Sequence, residues 1–148
     1  MRKIIALFVL AMYSQMSLAQ AYGNIPERFF ALVAAGKTAE AVDFLYSTNP
    51  WLTRNADQAE NLKAEFRKLD ALVGKYTYHE LVVEEKAGER YAHLIYVVGY
   101  ERQPLRFELQ LYRPAATWMS YGVAFDAQLT DNVDKAANQR VSKPKASP

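Results

Sequence analysis

The clearest pattern in the chain is an alternation of apolar and polar residues in its second half. Four apolar residues stand at every second position there, namely Leu105, Phe107, Leu109 and Leu111. A period of two is typical of a β-strand that has one buried face and one face in contact with water. A further apolar run precedes this one, across a turn at residues 101–104. The pattern therefore predicts an antiparallel hairpin.

Alternation on both sides extends this hairpin to a four-stranded antiparallel meander. A two-residue turn after the first strand would place Leu81 opposite Leu94, and His79 opposite Tyr96. The next turn would place Tyr96 opposite Leu109. The predicted buried face then consists of Leu81, Val83, Leu94, Tyr96, Val98, Phe107, Leu109 and Leu111. Turns and alternation agree on this register, which is why we adopt it.

The fourth predicted strand covers residues 118–129, and its odd positions are the apolar ones. These positions are Met119, Tyr121, Val123, Phe125, Ala127 and Leu129. They join the same buried face only if a five-residue loop or a β-bulge follows Tyr112, and we predict one of the two. Beyond this strand the apolar pattern stops. Residues 131–148 are predicted to be a flexible polar tail with one helical turn near Asp134.

Helices are predicted before the sheet. The first begins at residues 24–27, where Asn24 can cap the helix, a proline suits the first turn and a glutamate complements the helix dipole. It ends at Gly36, and a second helix runs from Thr38 to the stop at residues 49–50. A longer third helix ends at Gly74. Its single apolar stripe consists of Leu62, Phe66, Leu69 and Val73.

The first residues read as an export signal. A short basic start precedes an apolar run at residues 4–12, and small residues follow where signal peptidase cleaves. The apolar run is too short to span a membrane, which takes about 20 residues. We predict a signal peptide at residues 1–19, cleaved after Ala19 in preference to Ala21. One α+β domain at 22–130 follows, without a membrane span, in a protein that is periplasmic or secreted.

Composition removes several classes of function. The chain has no cysteine, which excludes disulfides, thiolate metal sites and cysteine nucleophiles. Loss of Arg2 and Lys3 with the signal peptide would turn the net charge of +2 into a balanced chain, so no electrostatic argument favours nucleic acid. The chain carries no phosphate-loop, zinc, calcium or nucleophile-elbow motif. We therefore predict neither a cofactor nor a bound metal.

Two sets of residues are candidates for binding. The predicted inner face suggests a ligand pocket lined by Tyr96, Tyr121 and His79. The opposite face mixes apolar and charged residues, which suits an association surface. Its candidate interface residues are Tyr78, Ile95, Val97 and Tyr112. The second histidine, His93, is predicted to lie on this opposite face, too far from His79 to share a metal.

The order of elements carries a resemblance. Helices come first and a long antiparallel meander follows, with a Phe-rich first helix and the link Ala-Gly-Lys-Thr-Ala-Glu-Ala-Val at residues 35–42. This order resembles the nuclear transport factor 2-like superfamily, also described as cystatin-like. The resemblance implies an α+β fold in which N-terminal helices pack on one face of a curved sheet, giving a cone. Superfamily members include isomerases, cyclases, dehydratases and non-catalytic binding modules, so fold alone does not settle function.

Catalytic members of that superfamily carry acids or bases inside the cone. The inner face predicted here has phenols and a histidine but no convincing carboxylate, because Asp126 falls on the other face. We therefore expect an exported, soluble, non-catalytic binding or assembly module that acts through protein–protein contacts of the sheet, homodimeric ones included. The alternative is a cone that binds a small apolar ligand, or works as an isomerase or cyclase, in an aromatic-lined pocket.

Overall fold

The computed structural model describes residues 21–54 and 56–142. The predicted signal peptide and the last six residues lie outside the described residues. The elements are α1 (Ile25–Ala34), α2 (Thr38–Ser47), a 3-10 turn (Leu52–Arg54), α3 (Ala56–Val73), β1 (Tyr76–Ala87), β2 (Tyr91–Tyr100), β3 (Pro104–Tyr112), β4 (Met119–Asp126) and α4 (Leu129–Ser142). The chain is thus α+β, with one open antiparallel sheet in the order β1-β2-β3-β4. No helix in the described part is long and apolar enough to cross a membrane.

The helix boundaries follow the predicted signals, with one exception. Gly36 and Gly74 follow α1 and α3 with φ angles of 72° and 83°, a left-handed conformation that glycine adopts at little cost. Pro26 lies in the first turn of α1. Asn24, however, is itself left-handed, with φ 57°, and its side chain makes no capping hydrogen bond. The predicted side-chain cap is therefore absent.

The core lies between α1–α3 and one face of the sheet, here called the inner face. Phe29 and Phe30 of α1, Phe66 of α3 and Phe107 of β3 are all fully buried. Their rings form one cluster, with centroids 5.9 Å apart for Phe66 and Phe107 and 5.0 Å apart for Phe29 and Phe30. Leu94 and its neighbours on β2 and β3 are buried beneath them. The expected burial of the aliphatic rows of β2 and β3 is confirmed.

The register of the first hairpin differs from the prediction. Its turn has three residues instead of two, since Ala87 pairs with Tyr91. Near the turn Glu84 therefore stands opposite Leu94 on the inner face, and Val83 lies on the outer one. The longer turn shifts the register by an odd number of residues. Such a shift turns each side chain to the other face of the strand.

A bulge between Leu81 and Val83 then restores the predicted side for the rest of β1. Beyond it Leu81 pairs with Tyr96, and His79 pairs with Val98. Both predicted partners were wrong by two residues, although the predicted faces of Leu81 and His79 are right. A second irregularity lies between Tyr76 and Tyr78.

The other two hairpins keep the predicted faces more closely. Tyr96 pairs with Phe107 instead of Leu109, a slip of two residues that leaves both on the inner face. The predicted bulge is present in β4, at Tyr121, since Leu111 pairs with Ser120 but Gln110 with Gly122. Ser120 is consequently buried, contrary to expectation.

Because the bulge lies inside β4 rather than before it, the strand changes sides at Tyr121. Val123 and Phe125 face inward as predicted, opposite Leu109 and Phe107. Met119 and Tyr121 do not. β4 ends at Asp126, and α4 occupies 129–142, where we expected a polar tail with a single helical turn.

Candidate functional site

A cleft of about 240 Å³ opens on the inner side of β1, between this edge strand and the start of α1. We call it the β1 cleft. Its lining residues are Ala21, Tyr22, Pro26, Glu27, His79, Leu81, Glu84 and Tyr96. Two of the three predicted pocket residues, His79 and Tyr96, meet here with ring centroids 6.0 Å apart.

Backbone irregularities of β1 aim its polar side chains into this cleft. The three-residue turn places Glu84 on the inner face, and the bulge after Leu81 lets His79 share that face. Bulges commonly redirect side chains in this way beside functional sites. The expectation that no carboxylate faces inward was therefore wrong, because Glu84 lines the cleft beside the phenols.

Tyr22 closes one end of the cleft under backbone strain. Its φ of 128° is unusual for a bulky residue. The side chain compensates with several contacts: its hydroxyl donates to the Glu84 carboxylate, and its ring meets Trp118 edge to face at 4.9 Å. Lys86 Nζ lies 3.0 Å from Glu84 Oε1. The hydrogen bond from Tyr22, followed by that from Lys86, lowers the pKa of Glu84.

His79 is open to solvent at its edge but covered on one ring face. Phe30 stacks on the imidazole at 4.2 Å with an interplanar angle of 12°. This burial lowers the pKa of His79 below its ordinary value, so the neutral imidazole is favoured. The Tyr76 hydroxyl lies 2.5 Å from Nδ1. Burial raises the pKa of Tyr76, so its phenol is protonated. A protonated phenol donates to Nδ1 in one imidazole tautomer and accepts from it in the other, and either way the two groups are hydrogen-bonded.

Tyr96 forms the floor of the cleft. It is 6% exposed, and its ring lies 4.7 Å from that of Phe30. Burial, followed by the negative charge of Glu27 and the acidic groups of Tyr22 and Glu84, raises the pKa of Tyr96 well above its ordinary value. Within the described residues its hydroxyl has no hydrogen-bond partner. A neutral phenol is therefore available to donate or accept a hydrogen bond.

Tyr121, the third predicted pocket residue, is not part of this cleft. It sits in the β4 bulge, is 58% exposed and contacts Tyr91 and Tyr112, with ring centroids 6.3 and 6.5 Å away. These two partners lie on the outer face, so Tyr121 belongs with them. The bulge that the sequence predicted before β4 lies at Tyr121 instead, and it turns this side chain to the outer face.

The four predicted interface residues do share the outer face. Tyr78 is 50% exposed and Tyr112 is 38% exposed, while Ile95 and Val97 are half-buried. Their partners in the sheet are Gly99, Tyr91, Glu108 and Arg106. The structure thus brings these residues onto one surface. Their role in association stays a prediction.

A network of charged side chains crosses the same face. The sequence predicted a mixed apolar and charged face there, but not these ion pairs. His93 Nε2 lies 2.6 Å from one Glu108 oxygen, and Arg106 donates to the other. Arg106 also lies 3.2 Å from Asp126 Oδ2. The observed register between β3 and β4 explains the contact of Arg106 with Asp126, because the two residues are direct partners. The prediction that His79 and His93 occupy opposite faces is confirmed.

A larger groove, of about 570 Å³, lies beside the ends of α1 and α3. The side chains of Glu101 and Arg102 in this groove already hydrogen-bond to backbone groups. Glu101 accepts from the Lys75 N–H at 3.0 Å, and Arg102 donates to the Ala71 carbonyl at 2.8 Å. These contacts satisfy one backbone group in the last turn of α3 and one just after it. We therefore regard the smaller β1 cleft as the stronger candidate despite its size.

No group of histidine and acidic side chains in the described ranges could hold a metal ion. Comparisons of the chain with protein-family models, with curated proteins and with solved structures found no match. The site must therefore be interpreted from its own chemistry.

Proposed function

We propose that the protein is an exported binding protein that holds a small organic ligand in the β1 cleft. The observation that carries this proposal is Tyr96 at the floor of an open cleft: the residue is 6% exposed, and its neutral hydroxyl bonds to no described residue. A neutral hydroxyl that no described side chain engages can donate a hydrogen bond to a bound molecule or accept one from it. A ligand with a polar group would complete the hydrogen bonding of this hydroxyl.

The surroundings of Tyr96 support the same proposal. Six of the eight described side chains with displaced pKa values lie on β1 or against its inner side. Groups of this kind concentrate at functional sites, as does strained backbone such as that of Tyr22. Pro26 and Leu81 line the cleft with apolar surface. The cleft therefore offers both apolar contact and polar anchoring, the usual composition of a ligand site.

Binding fits this cleft better than catalysis does. The Nδ1 atom of His79 is engaged by Tyr76, and the Glu84 carboxylate is engaged by Tyr22 and Lys86. In each group one of the two atoms that could take up a proton is therefore already engaged, Nδ1 in His79 and Oε1 in Glu84. In the cone arrangement of the nuclear transport factor 2-like superfamily, which we adopt as part of the proposal, helices and sheet would enclose such a site. Export through the predicted signal peptide would place it in the periplasm or outside the cell.

A fragment screen by NMR on the exported chain tests this function. Small organic fragments should shift the resonances of Tyr22, His79 and Tyr96 in a saturable way. Tyr96→Phe should weaken the fragments that bind there, because it removes only the hydroxyl. Tyr121→Phe is the matched control on the outer face and should change nothing. A library without binders at these resonances, or binders confined to the groove beside Tyr100, would contradict the proposal.

A second function is favoured by the outer face. Exposed aromatic and aliphatic side chains gather there, namely Tyr78, Val82, Tyr112 and Tyr121. A second copy of the chain would bury them, with the charged network around Arg106 at the centre of the contact. Contiguous apolar surface of this kind marks association sites. On this proposal the protein is a homodimeric binding or assembly module.

Light scattering coupled to size exclusion tests the second function. The exported chain should elute with the mass of a dimer, and the double variant Tyr112→Ser with Tyr121→Ser should elute as a monomer. Leu72→Ser removes an exposed apolar residue from α3, at 68% exposure, and serves as the control. A wild-type protein that stays monomeric at high concentration rules this function out.

A further inference from the structure

The charges around the β1 cleft are unequal. Its lining contains two carboxylates, those of Glu27 and Glu84, and its one histidine is neutral because burial lowers the pKa of His79. Lys86, at the rim, pairs with Glu84. Glu27 forms no ion pair with any described residue. One full negative charge is thus left unpaired beside the phenol of Tyr96.

The start of α1 opposes this charge only in part. Glu27 lies in the first turn of the helix, where the dipole contributes about half a positive charge. A full carboxylate charge outweighs it, so the net field at the cleft remains negative. Burial is the main cause of the raised pKa of Tyr96, and the charges of Glu27 and Glu84 act in the same direction.

The chain itself already places a cation at this rim. Lys86 Nζ lies 5.8 Å from the centre of the Tyr22 ring and 3.0 Å from Glu84. Ammonium groups are attracted to the faces of aromatic rings. A carboxylate nearby adds its own attraction for the positive charge. The remaining carboxylate, Glu27, and the hydroxyl oxygen of Tyr96 form a comparable place without an occupant from the described residues.

We propose that the ligand of the β1 cleft is a small organic cation, an aliphatic amine whose ammonium group binds Glu27 and the Tyr96 hydroxyl while its carbon chain lies against Pro26 and Leu81. This inference rests on the proposed ligand-binding function and adds the chemical class of the ligand. An ammonium group donates up to three hydrogen bonds, which suits an oxygen of each of these side chains.

Three probes of equal chain length separate charge from shape: butylammonium, butanol and butyrate. Titrations of the exported chain followed by NMR at Tyr22 and Tyr96 should show saturable binding of butylammonium. Butanol should bind about tenfold more weakly, since it lacks the charge–carboxylate contact, and butyrate should bind more weakly still.

Three variants complete the experiment. Glu27→Gln should remove most of the preference for butylammonium over butanol, whereas Glu40→Gln, which neutralises an exposed carboxylate on α2, should keep it. Lys86→Gln should strengthen butylammonium binding about two- to fivefold, because it frees Glu84 from a competing ammonium. The two Glu→Gln variants keep the shape of the side chain, and Lys86 is an exposed residue, so the fold should be preserved in all three.

The outcomes separate this inference from the function on which it rests. Equal binding of all three probes, or a preference for butyrate, overturns the cation and leaves a ligand cleft. Equal losses in Glu27→Gln and Glu40→Gln mean that general attraction to the protein surface accounts for the preference, which also overturns it. A cleft that binds no probe, and no fragment of the wider screen, overturns both.

Discussion

β1 and β2 are paired strands of similar length that differ in nearly every other respect. In β2 buried and half-buried residues alternate from Tyr91 to Val98, whereas β1 is exposed along most of its length. β2 has a partner on each side, and β1 lies at the edge of the sheet. The ladder between β2 and β3 is regular, while the ladder between β1 and β2 has two irregularities.

This difference shows how one sheet serves two purposes. A central strand is held by two ladders and by the core, so a bulge in it would break packing on both sides. An edge strand can carry bulges, which also discourage pairing with other chains. In β1 the three-residue turn brings Glu84 to the side of the cleft, and the bulge after Leu81 brings His79 to the same side. Stability therefore resides mainly in β2 and β3, and the candidate chemistry in β1.

The largest predicted effect is a difference between the same substitution in the two strands. Leu94 of β2 is fully buried, and Leu81 of β1 is 38% exposed. Leu94→Ala should lower the free energy of unfolding by about 3 kcal/mol, since it leaves a cavity in packed core. Leu81→Ala should lower it by less than about 1 kcal/mol. Urea unfolding measures both, and similar losses would contradict the comparison.

A smaller effect is expected where β1 covers β2. Gly99 of β2 has no side chain, and the ring of Tyr78 fills the place: a Cβ at Gly99 would lie 2.1 Å from a Tyr78 ring carbon. Gly99→Ala should therefore destabilise the protein by about 1–2 kcal/mol. In Tyr78→Ala the same change should cost clearly less, because only the Thr77 hydroxyl, 2.8 Å away, still crowds the new Cβ. An alanine in a strand is favoured over glycine by about 0.5–1 kcal/mol, which offsets part of that crowding.

A double-mutant cycle in urea measures this coupling between the strands. Gly122→Ala in β4 is the matched control, since the Cβ there meets only the end of the Gln110 side chain, at 3.0 Å. Additive effects of Gly99→Ala and Tyr78→Ala would show that the ring moves away without cost. Tyr78 would then be as free as the other exposed residues of the outer face.

The period-two pattern predicted which side of β2 and β3 is buried, and it could not predict more. Moving one strand by two residues leaves every side chain on the same face, so the pattern is equally satisfied with Tyr96 opposite Leu109 or opposite Phe107. The choice depends on turn geometry, which the residues at 101–104 did not specify. The helices were easier, because glycine at Gly36 and Gly74 marks their ends directly.

The candidate site was only half visible in the sequence. His79 and Tyr96 lie on the inner face of the sheet, as the alternation of apolar and polar residues predicted. Glu84 was missed because a three-residue turn reversed its side, and Tyr22 because nothing in the pattern brings the chain before α1 to β1. Tyr121 was assigned to the wrong face because the expected bulge falls on that residue. Bulge positions depend on tertiary packing rather than on local pattern.

A weaker prediction concerns the acid side of the stability profile. The contacts of Glu84 with Tyr22 and Lys86 lower its pKa below the ordinary 4.5. Their contribution is therefore complete above that value and is lost as the pH falls through the depressed pKa. Tyr22→Phe should reduce this acid-dependent loss, by less than about 1 kcal/mol because the pair is partly open to solvent. Urea midpoints measured between about pH 3 and pH 6 give the profile.

Glu85→Gln is the control for this profile, since Glu85 follows Glu84 in β1 but faces outward, opposite His93. It should leave the acid arm of the curve in place. An acid arm that Tyr22→Phe leaves unchanged would show that the hydrogen bond between Tyr22 and Glu84 does not hold in solution.

The smallest predicted effect comes from His79, whose pKa is lowered by burial against Phe30. Below the ordinary value of 6.5 the unfolded chain takes up a proton that the folded chain refuses, so the free energy of unfolding falls as the pH drops from 6.5 toward the lowered pKa. Above 6.5 His79 is neutral in both the folded and the unfolded state, so its contribution to stability is constant.

His79→Gln should flatten the rise in urea midpoint between about pH 5 and pH 7. His93→Gln is the control on the outer face. It should leave the contribution of His79 to the rise in urea midpoint unchanged. If His79→Gln keeps the full rise, the imidazole is not buried against the Phe30 ring, and the edge strand is looser in solution than its bulges and its cleft require.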